Sequence, residues 1–273
     1  MSTEARGPDT YAHGHHASVL RSHSWRTAAN SAAQLLPHLR PTDRLLDVGC
    51  GPGTISVDFA RRLTAGRVTA VDSAETAAAA TRSLAKSEGI ANLDAGTGNV
   101  YALEHADDSF DVAHAHQVLQ HLSDPAAALR EMRRVVRPGG LVAARDADYA
   151  AMTWYPADPR LDRWLELYHR VARAAGGEPD AARRMRHWAR QAGLDRVTCT
   201  ATTWCFADPT DVGWWSQTWS ERVLGSSFAQ QALAGGFADR AELADLSAAW
   251  GWWGAQPDAW FAVLHGEILA VVT

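Results

Sequence analysis

The chain has 273 residues, with 26 Lys+Arg against 31 Asp+Glu, and 47% of it is hydrophobic. That apolar share fills a core, which excludes global disorder, and the length suits one large domain or one domain with an elaborated cap. A net charge of −5 argues against a nucleic-acid-binding surface, and no apolar run reaches the roughly 18–20 residues that a membrane helix needs.

The first ten residues, Met1 to Thr10, are polar and carry no secretory pattern. Cys50, Cys199 and Cys205 form neither a disulfide framework nor a CxxC pair, so a cytoplasmic protein is expected. Five of the twelve His fall within the first 40 residues, and eleven of the twelve Trp lie beyond residue 150. Three zones follow: a His-rich leader, a middle almost without Trp, and a Trp-rich second half.

In chain order, Ser18 to Leu39 is helix-like, with an end or kink at Pro37. Arg44 to Val48 is an apolar burst that runs into a glycine turn, the pattern of a parallel strand buried on both faces. Ile55 to Leu63 has helical periodicity. Arg67 to Asp72 is a second strand, Ala74 to Glu88 a helix stopped at Gly89, and Ala91 to Thr97 a third strand. Phe110 to Ala115 is the fourth, and Asp124-Pro125 caps a helix reaching Val136. Pro138-Gly139-Gly140 turns into a fifth strand, Leu141 to Asp146. Five strand–helix alternations predict an α/β domain with a parallel sheet.

The rhythm breaks after Asp148. Helices are expected over Pro156–Ala175 and Asp180–Gln191, a sixth strand over Val197–Thr203, helical text from Cys205 to Gln256, and a last strand from Trp260 to Val272. The expected organisation is a leader (1–40), a ligand-binding core (41–148) and a completion of the sheet (149–273). That last part carries a Trp-rich helical cap over 149–175 and 205–256.

Glycines at 49, 51 and 53 let the backbone turn at a strand's carboxyl end, where ligands bind in open parallel sheets. The G-x-G-x-G spacing does not meet the dinucleotide pattern G-x-G-x-x-G, and no Gly-Lys-Ser/Thr follows. A ligand without pyrophosphate is expected, which weakens an NAD-dependent dehydrogenase. Asp72 ends the second strand, where a carboxylate accepts ribose hydroxyls; its other reading is a solvated acid or a cap for the next helix.

Leu45-Leu-Asp-Val-Gly-Cys-Gly-Pro-Gly-Thr54, with Val71-Asp72, Gly98-Asn99, Asp108-Ser-Phe-Asp-Val112, Val118-Leu-Gln-His-Leu122 and Arg137-Pro-Gly-Gly140, resembles a class I S-adenosylmethionine-dependent methyltransferase of the small-molecule type. The resemblance spans roughly residues 40–148. It implies a Rossmann-like, seven-stranded, mostly parallel sheet with helices on both faces, and S-adenosyl-L-methionine as cofactor. It also implies that Gly49, Cys50 and Gly51 line the methionine and ribose through backbone atoms, with Asp47 anchoring the loop. Asp72, beside Ser73, would hold the ribose, and Gly98, Asn99 and Val100 would flank the adenine. The family usually has Asp where this chain has Asn99, whose amide oxygen still accepts a hydrogen bond. His116 and Gln117 would border the sulfonium and the acceptor.

The leader from Tyr11 to Arg26 resembles the segment that closes over the cofactor, which implies Arg26 or Arg21 at the methionine carboxylate and Tyr11 in contact with cofactor or substrate; surface packing is the other reading of all three. Clustered His13, His15 and His16 lack a matching set of metal ligands, so no metal is expected. His114 reads as a core histidine, and His116 is the candidate general base. The tryptophans have two readings, packing between helices or the wall of an apolar substrate pocket, and a homodimer interface is a further use of the same surface. Two functions remain. One is methyl transfer to a small, partly apolar metabolite. The other is a cofactor-binding protein of the same fold that catalyses another reaction or senses the ligand.

Overall fold

The computed structural model describes residues 25–273. The calls on Tyr11, the clustered histidines and Arg21 lie outside these residues. Eight strands form one sheet: β1 (Arg44–Val48), β2 (Arg67–Asp72), β3 (Leu93–Thr97), β4 (Phe110–His116), β5 (Val136–Ala147), β6 (Thr153–Tyr155), β7 (Arg196–Phe206) and β8 (Trp260–Val271). The order begins β3-β2-β1-β4-β5, all parallel, and continues to β8, which runs antiparallel to β5. β7 pairs with the free side of β8, and β6 pairs with its opening residues on the β5 side.

Seven strands match the expected number. The eighth, β6, is three residues long, and the sequence reading saw only a lost rhythm there. Alternate residues of the central strands enter opposite cores. Leu45, Val112 and Ala143 pack with Val57 and Phe59, while Leu46, Ala113 and Val142 pack with Leu129, Met132 and Trp188. Period-two side chains covered on both faces give the apolar runs that mark these strands in the sequence.

The helices are α1 (Ala28–Ser31), α2 (Thr54–Arg62), α3 (Glu75–Ser87), α4 (Pro125–Val135), α5 (Pro159–Ala174), α6 (Met185–Gln191), α7 (Pro209–Gly225), α8 (Ser227–Ala234) and α9 (Arg240–Gly254). The long leader helix is not formed over its described part. Thr27 caps only four residues, and Pro37 sits in a separate 3-10 turn, Leu36–His38. β5 starts before its predicted boundary because Pro138-Gly139-Gly140 is a bulge inside it, where the register with β4 shifts. Cys205 and Phe206 belong to β7, and the helical text begins only after Asp208, whose carboxylate caps α7.

Since β8 is antiparallel to β5 and β7, Ala147, Phe206 and Trp260 all lie at the carboxyl edge of the parallel strands. There α5, α7, α8 and α9 bury a third core around Trp164, Trp219, Trp250, Trp253 and Phe261, each fully enclosed. The rings meet mainly edge to face, Trp164 lying 4.5 Å from Trp219 and 4.9 Å from Trp250. Such pairs add ~0.5–1.5 kcal/mol each beyond area burial.

Candidate active site

The loop after β1 holds Gly49 at φ 69° and Gly51 at φ 56°, in the left-handed region that only glycine enters freely. A Cβ on Gly49 would collide with Val118. The N–H groups of Gly49 and Cys50 both donate to the carbonyl of Val71, at 2.8 and 3.1 Å, tying the loop to β2. Asp47 commits both oxygens beneath it, one to His114 Nδ1 at 2.8 Å and the other to the hydroxyl of Ser56. His114 is therefore a buried partner of Asp47 that also packs against Phe59. Burial, then the charge of Asp47, pushes the Cys50 thiol far up, so Cys50 is no nucleophile.

Asp72 accepts from Gly51 N with one oxygen and from Ala74 N with the other, each at 3.0 Å. It is half-buried in the cleft wall, and its bond to Ala74 N ties it to the residue that opens the next helix. At the end of β3, Gly98 N donates to the Asp72 carbonyl, and Asn99 Oδ1 accepts from Tyr101 N at 3.0 Å. An amide oxygen with two lone pairs can accept a second donor.

These loops enclose a cleft of about 480 Å³. Its lining includes every cofactor residue expected from the sequence that lies within the described chain: Arg26, Asp47, Gly49, Cys50, Gly51, Asp72, Ser73, Gly98, Asn99, Val100, His116 and Gln117. Tyr101, Glu104, Val118 and His121 line it too. His121 sits on a 3-10 turn, Leu119–His121, rather than on the helix that follows.

Gln117 is held at φ 53°, a rare conformation for a non-glycine residue, and its side chain bridges the two halves of the molecule. Arg26 donates to its Oε1. Its Nε2 meets His265 Nε2 at 2.9 Å, and His265 Nδ1 meets the Val263 carbonyl at 3.1 Å. A carbonyl only accepts, so the proton of His265 is on Nδ1, and Gln117 donates to Nε2. Beside this chain, the fully buried Arg145 pairs with Glu267 at 3.2 Å and lies 4.9 Å from the Trp204 ring centroid. Thr200 and Thr202 each donate to Glu267 at 2.6 Å.

His116 is buried among these groups, and neither ring nitrogen has a partner among the described residues. Burial, then the charges of Arg26 and Arg145, holds it well below the ordinary histidine range. His121 is held at about 3 by burial and Arg26. His265 is held low as well, by burial and Arg145. All three are neutral at pH 7. Arg145 and His265 were absent from the sequence reading. An arginine inside the apolar run Leu141–Ala147 was a visible signal for the first, but nothing local marks His265, 148 residues from Gln117.

The cleft suits S-adenosylmethionine by its chemistry. It offers glycine backbone without a side chain in the way, a carboxylate at the tip of β2 for ribose, and an amide at the tip of β3 for adenine. Among the described residues no group of three His, Cys, Asp or Glu is arranged to hold a metal, and no helix is long and apolar enough to cross a membrane. Fold and site together define a class I S-adenosylmethionine-dependent methyltransferase.

Comparison with known proteins agrees. A methyltransferase-domain family model matches residues 46–144. An uncharacterized methyltransferase of Schizosaccharomyces pombe is 38% identical over 226 residues, 80% of this chain and 81% of that one. A probable methyltransferase of Aspergillus luteorubrus, ltbC, is 31% identical over 281 residues, 96% of this chain and 97% of that one. Among solved structures, the phosphoethanolamine N-methyltransferase 2 of Haemonchus contortus in complex with S-adenosyl-L-methionine superposes with a TM-score of 0.54. It is 14% identical and covers 88% of this chain and 51% of that one. The chain belongs to the S-adenosylmethionine-dependent methyltransferases, and S-adenosylmethionine is its cofactor.

Proposed function

We propose that the chain transfers a methyl group to a small, partly apolar metabolite held between the glycine cleft and the tryptophan-rich helices. The observation that carries this reading is a second cavity. It is small, about 30 Å³, shares Arg26, Gln117 and His121 with the cleft, and is lined by Trp204, Trp214, Trp215 and Trp219. An apolar wall joined to the cofactor cleft through a few polar groups is how small-molecule sites are built. The net charge of −5 supports a metabolite over a nucleic acid. Three free cysteines, two of them exposed, fit a reducing cytoplasm.

In this reading Gly49, Cys50 and Gly51 carry the methionine and ribose by backbone contacts, and Asp72 with Ser73 takes the ribose hydroxyls. Gly98, Asn99 and Val100 flank the adenine, Arg26 faces the methionine carboxylate, and Tyr11 of the leader contacts the cofactor. The leader (1–40) closes over the core (41–148), and the helices of the last part (149–273) select the acceptor. The cofactor supplies an electrophilic methyl on a cationic sulfonium. The chain's task is then alignment, worth on the order of 7–11 kcal/mol where the fit is close. His116 serves as a neutral hydrogen-bond partner that orients the acceptor, since a base held far below pH 7 removes protons poorly.

The test is a methyl-transfer screen of a metabolite library with labelled cofactor, repeated with Trp215→Ala. The expected result is transfer to an apolar acceptor, lowered at least tenfold in kcat/KM by the substitution, with unchanged S-adenosylhomocysteine affinity. Binding of S-adenosylhomocysteine without transfer to any library member would favour a non-methylating role. A change in sedimentation alone would assign the tryptophans to a homodimer.

A further inference from the structure

We infer that the free edge of β7 pairs with β7 of a second copy of this chain, antiparallel about a two-fold axis at Ala201, so that the sheet continues through a homodimer. This inference stands apart from the reading of the tryptophan cavity as the acceptor site. β7 pairs only with β8, so its other side is an edge of the sheet, and alternate N–H and C=O groups point away along it. Beyond its ladder with β8, no backbone hydrogen bond joins β7 to another described residue. Thr198, Cys199, Thr200, Ala201, Thr202 and Thr203 are all exposed, so neither face of the strand's middle is covered.

The first support is the contrast with the other edges of the same sheet. Sheets guard an edge strand by keeping it short, or by placing charge, proline or a bulge on it. β3, at the far edge, has five residues that include Gly96 and an Asp94 paired to Arg67. β6 has three residues and runs into Pro156. β7 has eleven, and from Val197 to Phe206 it carries no charge, no proline and no glycine, in a chain that is 21% charged. Its threonines and aromatic residues belong to the types that pair well in sheets. Such an edge is a template for another strand.

The second support is self-complementarity, which selects a second copy as the occupant. Antiparallel pairing about Ala201 matches all eleven residues of the strand. It sets Thr200 opposite Thr202 and Cys199 opposite Thr203 of the second copy. Threonines that face each other across a ladder stabilise it. At the ends, Arg196 comes opposite Phe206 of the second copy and diagonal to its Asp208. Arg196 is exposed, and the Asp208 cap of α7 uses Oδ1, which accepts from Thr210 N at 2.9 Å. Oδ2 is left for the guanidinium. A cation therefore meets an anion at each end of the ladder, and no like charges oppose each other between them. The same contact is made twice, as an isologous interface requires.

The experiment measures sedimentation of the full chain over a range of concentrations, with hydrogen exchange of segment 196–206 followed at both ends of the range. A dimer is expected, its β7 amides protected at high concentration and exchanging faster on dilution. Ala201→Lys opposes two ammonium groups at the axis and should raise the dimer dissociation constant by roughly tenfold or more, with S-adenosylhomocysteine affinity unchanged. With Cys199 and Cys205 both changed to Ser, Ala201→Cys should give a disulfide-linked dimer under oxidised glutathione, because directly opposed Cα atoms lie about 4.5–5.5 Å apart. Thr198→Cys in the same background should not, since it would lie about 20 Å from its own copy. A monomer at every concentration overturns the inference, and so does a dimer whose β7 amides exchange as fast as the monomer's. Linking through Thr198→Cys but not Ala201→Cys overturns the pairing about Ala201. The exchange result comes from the unaltered protein and decides the matter even where a variant folds poorly.

Discussion

The half of the molecule from β1 to β5 and the half from β6 to β8 solve different problems with different means. The first shapes its cleft largely through backbone: three glycines at positive φ, two strand tips and a carboxylate locked by N–H groups. The second uses side-chain bulk, with indoles drawn from α5, α7, α9 and β7 meeting across long sequence separations. A backbone-defined site tolerates any side chain that leaves the turn intact, whereas a ring-packed site answers to every change of volume. The two halves should therefore fail in different ways when altered.

The largest effect is expected in the aromatic half. Trp164 is fully buried and touches Trp154, Trp219, Trp250 and Phe261. Trp164→Ala should cost about 3–5 kcal/mol of stability through lost burial and an unfilled cavity. Urea unfolding measures it, and S-adenosylhomocysteine affinity of the folded fraction should stay within about threefold of wild type. A parallel loss of affinity would mean that the halves are not separable.

The converse substitution lies in the glycine loop. Gly51→Val places a β-branched residue at φ 56° and a side chain in the cleft. Affinity for S-adenosylhomocysteine should fall at least a hundredfold, about 3 kcal/mol, while circular dichroism remains that of a folded protein. Asp72→Ala should be milder. It removes a charged acceptor and the support of Gly51 N, for an expected loss of about 1–3 kcal/mol in the same titration. Undiminished binding in either variant would move the cofactor away from this loop.

The same contrast explains what could be read from the sequence. The first half was legible nearly strand by strand, because period-two burial and a glycine turn are local signals. Part of the lining of the cleft was legible with it, from Asp47 to Gln117, but not Tyr101 or Glu104. Errors there were of boundary, as at β5, where a bulge holds Pro138-Gly139-Gly140 within the strand. The second half gave its helices but not its partners. β6 is too short to show alternation, and its pairing depends on residues 260–262, more than a hundred positions away. Arg222, Trp215 and Trp25 meet only after α7 has packed on the sheet edge. No spacing rule reaches that far.

The seam between the halves belongs to neither, and its histidines supply the smallest effect. His116 ends β4, His121 follows it, and His265 comes from β8; burial holds all three below the ordinary histidine range. A depressed pKa means that the folded protein refuses a proton that the unfolded chain accepts below about 6.5. Stability is therefore unaffected above that value and falls as pH drops below it, by on the order of 1 kcal/mol per pH unit for each histidine. Asp146 acts in the opposite sense. Burial raises it to about 7, so its ionisation erodes stability as pH rises from about 4 to 7. One group opposes three, and net loss on acidification should dominate. His116→Gln removes one of the three and should recover about 1 kcal/mol relative to wild type at pH 5.5, beyond any difference at pH 7.5. Urea unfolding at the two pH values checks it. An unchanged gap between the variants would mean that His116 takes up its proton in the folded protein, and that it is available as a base after all.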